Sequence, residues 1–180
     1  MHRVSAWLLK LFGWKILGDF PLVQKKYVVV VAPHTSNWDF PLGLLVRSAR
    51  RAKTVFIGKH TLFQFPYGFI FRWLGGYPVD RRKSHNFVES VVKIFDSKEE
   101  FTIVISPEGT RRKVEKFKTG FYYIAKGADI PLVLCKFDWG NKEVVFDKPF
   151  YTTDDEKKDF ERIYAYFKGV KGKNPELGVD

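Results

Sequence analysis

Cysteine is almost missing from this chain, which has one cysteine among 180 residues. A single thiol excludes an intramolecular disulfide framework and a zinc site built from several cysteines, so we expect a reducing, cytoplasmic location. Long apolar runs are missing as well, since no stretch approaches the roughly 20 apolar residues that span a bilayer. Hydrophobic residues nevertheless make up 45% of the chain and charged residues 28%. This balance is typical of a folded domain rather than a disordered tail.

Acidic residues are fewer than basic residues, and the difference between them varies along the chain. Lys and Arg number 31 against 20 Asp and Glu, a net charge of +11. Residues 1–60 carry +8, residues 61–120 carry +4 and residues 121–180 carry −1. A basic surface in the first two thirds indicates a polyanionic partner. Nucleic acid, an anionic membrane and a phosphorylated substrate all fit that description.

The N-terminal segment is apolar but interrupted by charges, and it lacks the features of a signal peptide. Its apolar residues recur at helical spacing: Val4, Trp7, Leu8, Leu11 and Phe12, with Trp14 beside them. We therefore expect an amphipathic helix and lead-in over residues 1–26. Two placements stay open, one on a membrane surface and one against the core.

Past residue 26, strand-like and helix-like segments alternate. Strand patterns fall at residues 27–32, 53–58, 77–79, 101–105, 130–137 and 144–146. Helical patterns run from a cap at residue 36 or 37 to 51, and over 84–96, 117–126 and 153–170, with a partly helical aromatic stretch at 61–74. This alternation predicts a single α/β domain over residues 27–180, with a mostly parallel central sheet flanked by helices.

The first of two unusual strand-to-helix junctions contains His34 and Asp39. Such junctions carry the chemistry in parallel α/β folds. Five residues apart, the two side chains would diverge on a regular helix, but they can meet across a turn. A carboxylate on one imidazole nitrogen fixes the tautomer and leaves the other nitrogen free to accept a proton. The alternative is a surface histidine near a helix-capping aspartate.

The second junction is a glycine-containing turn with Glu108 and Arg111, and Arg81 lies in a further basic cluster after a strand. Arginine side chains on turns suit bidentate binding of phosphate. The alternative is that both clusters are solvated basic turns. Cys135 stands in an apolar run and is expected in the core, and the four histidines show no spacing typical of a metal site.

These segments together resemble four sequence blocks of the glycerolipid acyltransferase family, which includes the 1-acylglycerol-3-phosphate (lysophosphatidate) acyltransferases. In the family's order, the blocks are His34–Asp39, Gly76–Arg81, Ser106–Arg111 and Ile130–Val133. The chain departs from the family at Pro33, where Asn is frequent, and at Ser106, where Phe is frequent. The resemblance covers roughly residues 27–137 and implies a glycerol-3-phosphate acyltransferase-like α/β fold.

The resemblance implies an O-acyltransferase that needs no cofactor or metal. A fatty acyl group would move from a thioester, acyl-CoA or acyl-carrier protein, to the hydroxyl of a lysophospholipid, 1-acylglycerol-3-phosphate first, giving phosphatidic acid. His34 would deprotonate that hydroxyl while Asp39 holds the imidazole. By the same resemblance, the residues that bind the phosphorylated acceptor are Arg81, Glu108, Gly109, Thr110 and Arg111.

An aromatic segment precedes the second block, and Arg72 lies within it. Its apolar residues are Phe63, Phe65, Tyr67, Phe69, Phe71, Trp73 and Leu74. Rings beside basic residues suit a membrane interface, whereas the alternative is a buried helix. We expect a peripheral enzyme that binds an anionic membrane surface on the inner face of the cell membrane.

Other functions stay open at this point. The acceptor could be another lysolipid or an acylated amino acid, and a non-catalytic basic lipid-binding protein is a further alternative. A nucleic-acid-binding module is disfavoured, because the sequence has no nucleic-acid motif and the four ordered blocks would go unexplained.

Overall fold

The computed structural model describes residues 1–18, 20, 24–79 and 84–178, without the side chains of residues 59 and 84–86. Within these residues seven strands form one sheet: β1 Lys15–Leu17, β2 Lys26–Ala32, β3 Val55–Lys59, β4 Gly76–Val79, β5 Phe101–Ile105, β6 Leu132–Asp138 and β7 Glu143–Phe146. The helices are α1 His2–Leu11, α2 Asp39–Ala49, α3 Gly68–Trp73, α4 Ser84–Asp96, α5 Gly120–Gly127 and α6 Glu156–Phe167. Short 3₁₀ turns lie at His60–Phe63 and Pro175–Leu177.

The sheet has the strand order β1-β7-β6-β2-β5-β3-β4. Every neighbouring pair is parallel except β6 with β7, which is antiparallel. The central strand β2 is an almost unbroken run of valines that is buried along its length. Such a run is typical of a parallel strand covered by helices on both faces. The predicted single α/β domain with a mostly parallel sheet is confirmed.

Two hydrophobic layers cover the two faces of the sheet, and β2 contributes alternate side chains to each. Val28 and Val30 face the layer that includes residues of α4, α5 and α6. Val29 and Val31 face the other layer, to which α1 and α2 belong. Because β2 lies at the centre of both layers, the loop that leaves its carboxyl end is anchored from both sides.

Helix α1 packs on the domain through one face only. Ser5 and Leu9 are buried, and the Ser5 hydroxyl donates to Ser48 Oγ on α2 at 2.8 Å. The opposite side leaves an exposed apolar face, defined by Val4, Trp7, Leu11 and Phe12. The helix therefore contacts the core and still presents apolar side chains to the outside.

The aromatic segment of residues 61–74 is also mostly exposed. Phe63 is buried, but four rings form an exposed aromatic patch: Phe65, Tyr67, Phe69 and Trp73. Phe65 is 97% exposed and Trp73 77%. The alternative of a buried helix is wrong for these four residues. No helix in the described part of the chain is both long and apolar enough to cross a bilayer.

Several element boundaries differ from the sequence-based predictions. Strand β1 was not predicted, because three residues are too few to show a period. The cap of α2 was expected at residue 36 or 37, but the helix begins after Trp38. The Ser36 backbone instead donates to the Asp39 side chain. Helix α6 begins later than residue 153, because the Asp155 side chain caps it by accepting the Lys158 N–H at 3.1 Å, and it ends at Phe167 rather than at residue 170.

Candidate active site

The loop between β2 and α2 brings His34 and Asp39 into contact. His34 Nδ1 lies 3.0 Å from Asp39 Oδ2. A carboxylate only accepts hydrogen bonds, so this contact places the ring proton on Nδ1 and leaves Nε2 as an acceptor. The His34 side chain is 27% exposed and lines a large cleft. Its second nitrogen is therefore available to a bound molecule.

Asp39 is 3% exposed, and its carboxylate accepts two further hydrogen bonds. The Ser36 backbone N–H donates to Oδ2 at 2.9 Å, and the Trp139 indole Nε1–H donates to Oδ1 at 2.7 Å. No sequence pattern indicates the second bond, since Trp139 is 100 positions away in the turn after β6. Burial of an acceptor is costly unless its bonds are made, so these donors stabilise the carboxylate in one orientation.

Glu108 joins this loop to the one that follows β5. Its carboxylate is 2% exposed. Oε1 accepts the His34 backbone N–H at 2.8 Å, and Oε2 accepts the Ser106 hydroxyl at 2.7 Å. Because β2 and β5 are parallel neighbours, their carboxyl ends lie at the same edge of the sheet, and the two sequence motifs meet there. The buried carboxylate thus braces the backbone of His34.

The turn after Glu108 opens towards the same cleft. Gly109 has a φ of +63°, and a Cβ at this position would lie 2.9 Å from Lys118 Nζ. Left-handed backbone of this kind favours glycine. Thr110 and the exposed Arg111 line the cleft, and Thr110 Oγ1 accepts the Arg112 backbone N–H at 3.2 Å. Arg81, the remaining predicted site residue, lies outside the described residues.

The cleft has a volume of about 1830 Å³ and two chemically different parts. Around His34 and the Gly109 turn its lining is polar and basic, with Arg111 and Lys118 among the lining residues. The other part is apolar and runs between α2 and the sheet. Its lining includes Val31, Phe40, Gly43, Leu44, Phe56 and Phe137. One cleft can therefore hold a charged group and a hydrocarbon chain at the same time.

A C-terminal strap, residues 171–174, crosses the His34 loop. The Asn174 backbone N–H donates to Thr35 Oγ1 at 3.1 Å, and its Nδ2 donates to the Thr35 carbonyl at 2.9 Å. Lys173 Nζ lies 4.6 Å from the ring centroid of Trp38 and 4.8 Å from that of Trp139. Sequence analysis did not predict this strap, because nothing local in residues 171–174 indicates a partner 139 positions away.

Other reactive side chains lie away from this site. Cys135 is buried in β6, where burial raises the pKa of its thiol well above the usual value. It occupies the core, as predicted. His60 Nε2 lies 3.4 Å from Gln64 Nε2, and the His85 side chain is among those not described. The described residues contain no group of three or more His, Cys, Asp or Glu that could hold a metal ion.

This combination of a parallel α/β sheet and a His–Asp pair at a two-part cleft is that of an acyltransferase. A model of the acyltransferase family matches residues 15–137, which is more than half of the chain, and the chain belongs to that family. The resemblance to glycerolipid acyltransferases that the motifs indicated is thereby confirmed.

A solved structure with the same fold is the 1-acyl-sn-glycerophosphate (LPA) acyltransferase PlsC from Thermotoga maritima. The TM-score is 0.65 and the sequence identity 19%, over 93% of this chain and 75% of that chain. At this identity the likeness shows the fold alone. The comparison with curated protein sequences found no match.

Proposed function

We propose that the protein transfers a fatty acyl group from a thioester to the hydroxyl of a lysophospholipid, with 1-acylglycerol-3-phosphate as acceptor and phosphatidic acid as product. The observation that carries this proposal is the His34–Asp39 contact at the junction of the polar and apolar parts of one cleft. A base at that point can reach the hydroxyl of an acceptor whose phosphate lies in the polar, basic part of the cleft, while an acyl chain lies in the apolar part.

The chemistry follows from the tautomer of His34. Nε2 accepts the proton of the acceptor hydroxyl as the oxygen attacks the thioester carbonyl carbon. The carbon–sulfur bond then breaks, and Nε2 gives its proton to the departing sulfur, so that a free thiol leaves and the neutral ring of His34 is restored. Asp39 keeps the proton on Nδ1 and stabilises the cationic ring between these steps. General-base help of this kind contributes about 10²–10⁴-fold, and no serine or cysteine nucleophile is required.

The acceptor phosphate is assigned to the turn of residues 109–111. Arg111 is exposed at the cleft, and the left-handed Gly109 allows a ligand to approach the backbone closely. Thr110 and Arg81 complete the set that the motifs predicted. Glu108 is also predicted to bind the acceptor. Its effect on the acceptor would be indirect, because its two oxygens accept hydrogen bonds from the His34 backbone and the Ser106 hydroxyl.

The acyl chain is assigned to the apolar part of the cleft. Gly43 on α2 opens this space, since a Cβ there would lie 3.7 Å from the Phe137 ring. Burial of each methylene contributes about 0.8 kcal/mol to the binding free energy, so the apolar part of the cleft would select acyl chains by length.

Membrane binding is assigned to the exposed apolar face of α1 and to the aromatic patch. Lys10 and Arg3 are exposed on α1 beside its apolar face, and aromatic and basic side chains together favour an anionic interface. The exposed loop of residues 111–118 carries five Lys and Arg and one Glu. Acyl-CoA and acyl-carrier protein are both anionic donors, and both suit such a loop.

An acylation assay tests the function. The purified chain would be given palmitoyl-CoA or palmitoyl-carrier protein with a panel of acceptors: 1-acylglycerol-3-phosphate, other lysophospholipids and an acylated amino acid. We expect thioester-dependent transfer, fastest with 1-acylglycerol-3-phosphate. His34→Ala should abolish it and leave the chain folded at the assay temperature, because His34 lies in a loop at the cleft. Transfer at a near-native rate by His34→Ala would contradict the mechanism, and a preference for another acceptor would contradict the assigned substrate.

A further inference from the structure

Trp139 lies in the turn between β6 and β7, beyond the four motif blocks and beyond residues 15–137 that match the family. Its indole N–H reaches the carboxylate that holds the base, at 2.7 Å from Asp39 Oδ1. We propose that Trp139 is a positioning residue for acyl transfer, acting through Asp39 on the tautomer and orientation of His34. This inference rests on the proposed function, in which His34 is the base.

The hydrogen bonds at Asp39 show why the third donor matters. The two donors on Oδ2, His34 Nδ1 and the Ser36 N–H, come from the short loop that leads directly into Asp39. Glu108 and Asn174 hold the backbone of this loop on the domain, but neither of them contacts the Asp39 carboxylate. Trp139 donates to Oδ1 from a different part of the fold, so it fixes the plane of the carboxylate relative to the domain. A carboxylate held in that plane keeps Oδ2 directed at Nδ1.

The indole itself is held on several sides. Its ring makes an edge contact with Trp14, with centroids 4.9 Å apart and planes at 89°. Its backbone N–H donates to the Lys171 carbonyl at 2.9 Å, and Lys173 Nζ lies over the ring at 4.8 Å. A donor fixed in this way needs no rearrangement when substrate binds, which is the condition for effective preorganisation.

The test replaces each of the two contacting tryptophans by phenylalanine. Trp139→Phe keeps a ring but removes the donor to Asp39, while Trp14→Phe changes the same ring contact and leaves that donor in place. We expect Trp139→Phe to lower kcat by roughly 10–100-fold, the effect of losing a hydrogen bond to a charged group. The KM values for both substrates should stay within about twofold, because no substrate contact is altered. Trp14→Phe should keep near-native kcat.

A spectroscopic measurement separates positioning from packing. Nitrogen-15 NMR of the imidazole should show His34 as the Nδ1–H tautomer in the unsubstituted protein and in Trp14→Phe. With four histidines in the chain, His34→Ala assigns the signal. In Trp139→Phe we expect the Nε2–H tautomer to gain population. If Trp139→Phe keeps both the Nδ1–H tautomer and a kcat within twofold of Trp14→Phe, the proposal is overturned.

A further measurement compares indole N–H groups within the unsubstituted chain, and its deciding result does not depend on how Trp139→Phe folds. The Trp139 indole N–H should exchange with solvent much more slowly than those of the exposed Trp7 and Trp73, and Asp39→Ala should remove that protection. Exchange as fast as that of Trp7 would show that the bond to Asp39 is absent and would overturn the proposal. Neither NMR measurement needs substrate, so failure of acyl transfer in the unsubstituted enzyme would contradict the proposed function without bearing on Trp139.

Discussion

The exposed apolar face of α1 gives a membrane-binding prediction whose size can be estimated from the structure. Trp7 is 60% exposed, whereas Ser5 and Leu9 on the opposite side hold the helix to the domain. A tryptophan side chain buries about 200 Å², so insertion of the exposed part would bury roughly 120 Å² and contribute about 3 kcal/mol. In Trp7→Glu, the new negative charge near an anionic surface costs about 1 kcal/mol more.

A total of about 4 kcal/mol corresponds to a roughly 10³-fold weaker partition onto anionic vesicles. Sedimentation with vesicles of phosphatidylcholine, with and without phosphatidylglycerol, measures the partition coefficient at two salt concentrations. The control is Ala6→Glu, which adds the same charge at an exposed position of α1 outside the apolar face. We expect it to weaken binding only about fivefold, with an unchanged melting temperature in both variants.

Three results would count against this reasoning. Equal partition for Trp7→Glu and the unsubstituted chain would show that the apolar face of α1 does not enter the bilayer. The attraction of basic residues to an anionic surface is screened within about 10 Å at 0.1 M salt. A partition coefficient that changes with neither lipid charge nor salt would therefore show that the basic residues of the first 60 positions do not contribute to membrane binding. If Trp7→Glu lost activity on a short-chain, water-soluble acceptor, Trp7 would instead be shown to support the core.

Three further predictions concern the cleft and the core. Arg111→Ala should raise the KM for a phosphorylated acceptor at least tenfold and that for the thioester less than twofold in initial-rate kinetics; equal effects on both would mean that Arg111 supports the fold. Gly43→Leu should favour acyl chains that are two to three methylenes shorter. The expected change in preference is about 2 kcal/mol, or roughly 30-fold in relative kcat/KM. An unchanged chain-length profile in a donor competition assay would contradict an acyl-binding space beside α2. Cys135 should resist alkylation by iodoacetamide at neutral pH until the protein is unfolded, because burial raises the pKa of its thiol and the thiolate is the reactive form; rapid labelling of the native protein, followed by mass spectrometry, would contradict that placement.

The elements that the sequence predicted best are those whose pattern is local. Helix α4 and strand β5 lie at residues 84–96 and 101–105 as predicted, because helical spacing and a β-branched run need no information from elsewhere. The meeting of His34 with Asp39 followed from the same reasoning, since a strand-to-helix turn reverses the chain within a few residues.

Two of the contacts that sequence analysis missed depend on strand order. Glu108 accepts a hydrogen bond from the His34 backbone N–H because β5 lies beside β2, and Trp139 reaches Asp39 because β6 lies on the other side of β2. No periodicity encodes which strands are neighbours. The motif resemblance predicts Glu108 as a ligand for the substrate. In the structure its buried carboxylate accepts a hydrogen bond from the His34 backbone.

The C-terminal strap has a consequence for the time at which the enzyme becomes active during its synthesis. The His34 loop leaves the ribosome early, but two of its hydrogen bonds come from Asn174, 139 positions later. Trp139, which holds Asp39, also depends on the Lys171 carbonyl. While residues 171–174 are still inside the ribosome, the apolar face of α1 is already outside and can meet a membrane. Under the proposed function, a nascent chain would reach a lipid surface before the His34 loop is held in place, so that membrane binding would precede acyl transfer.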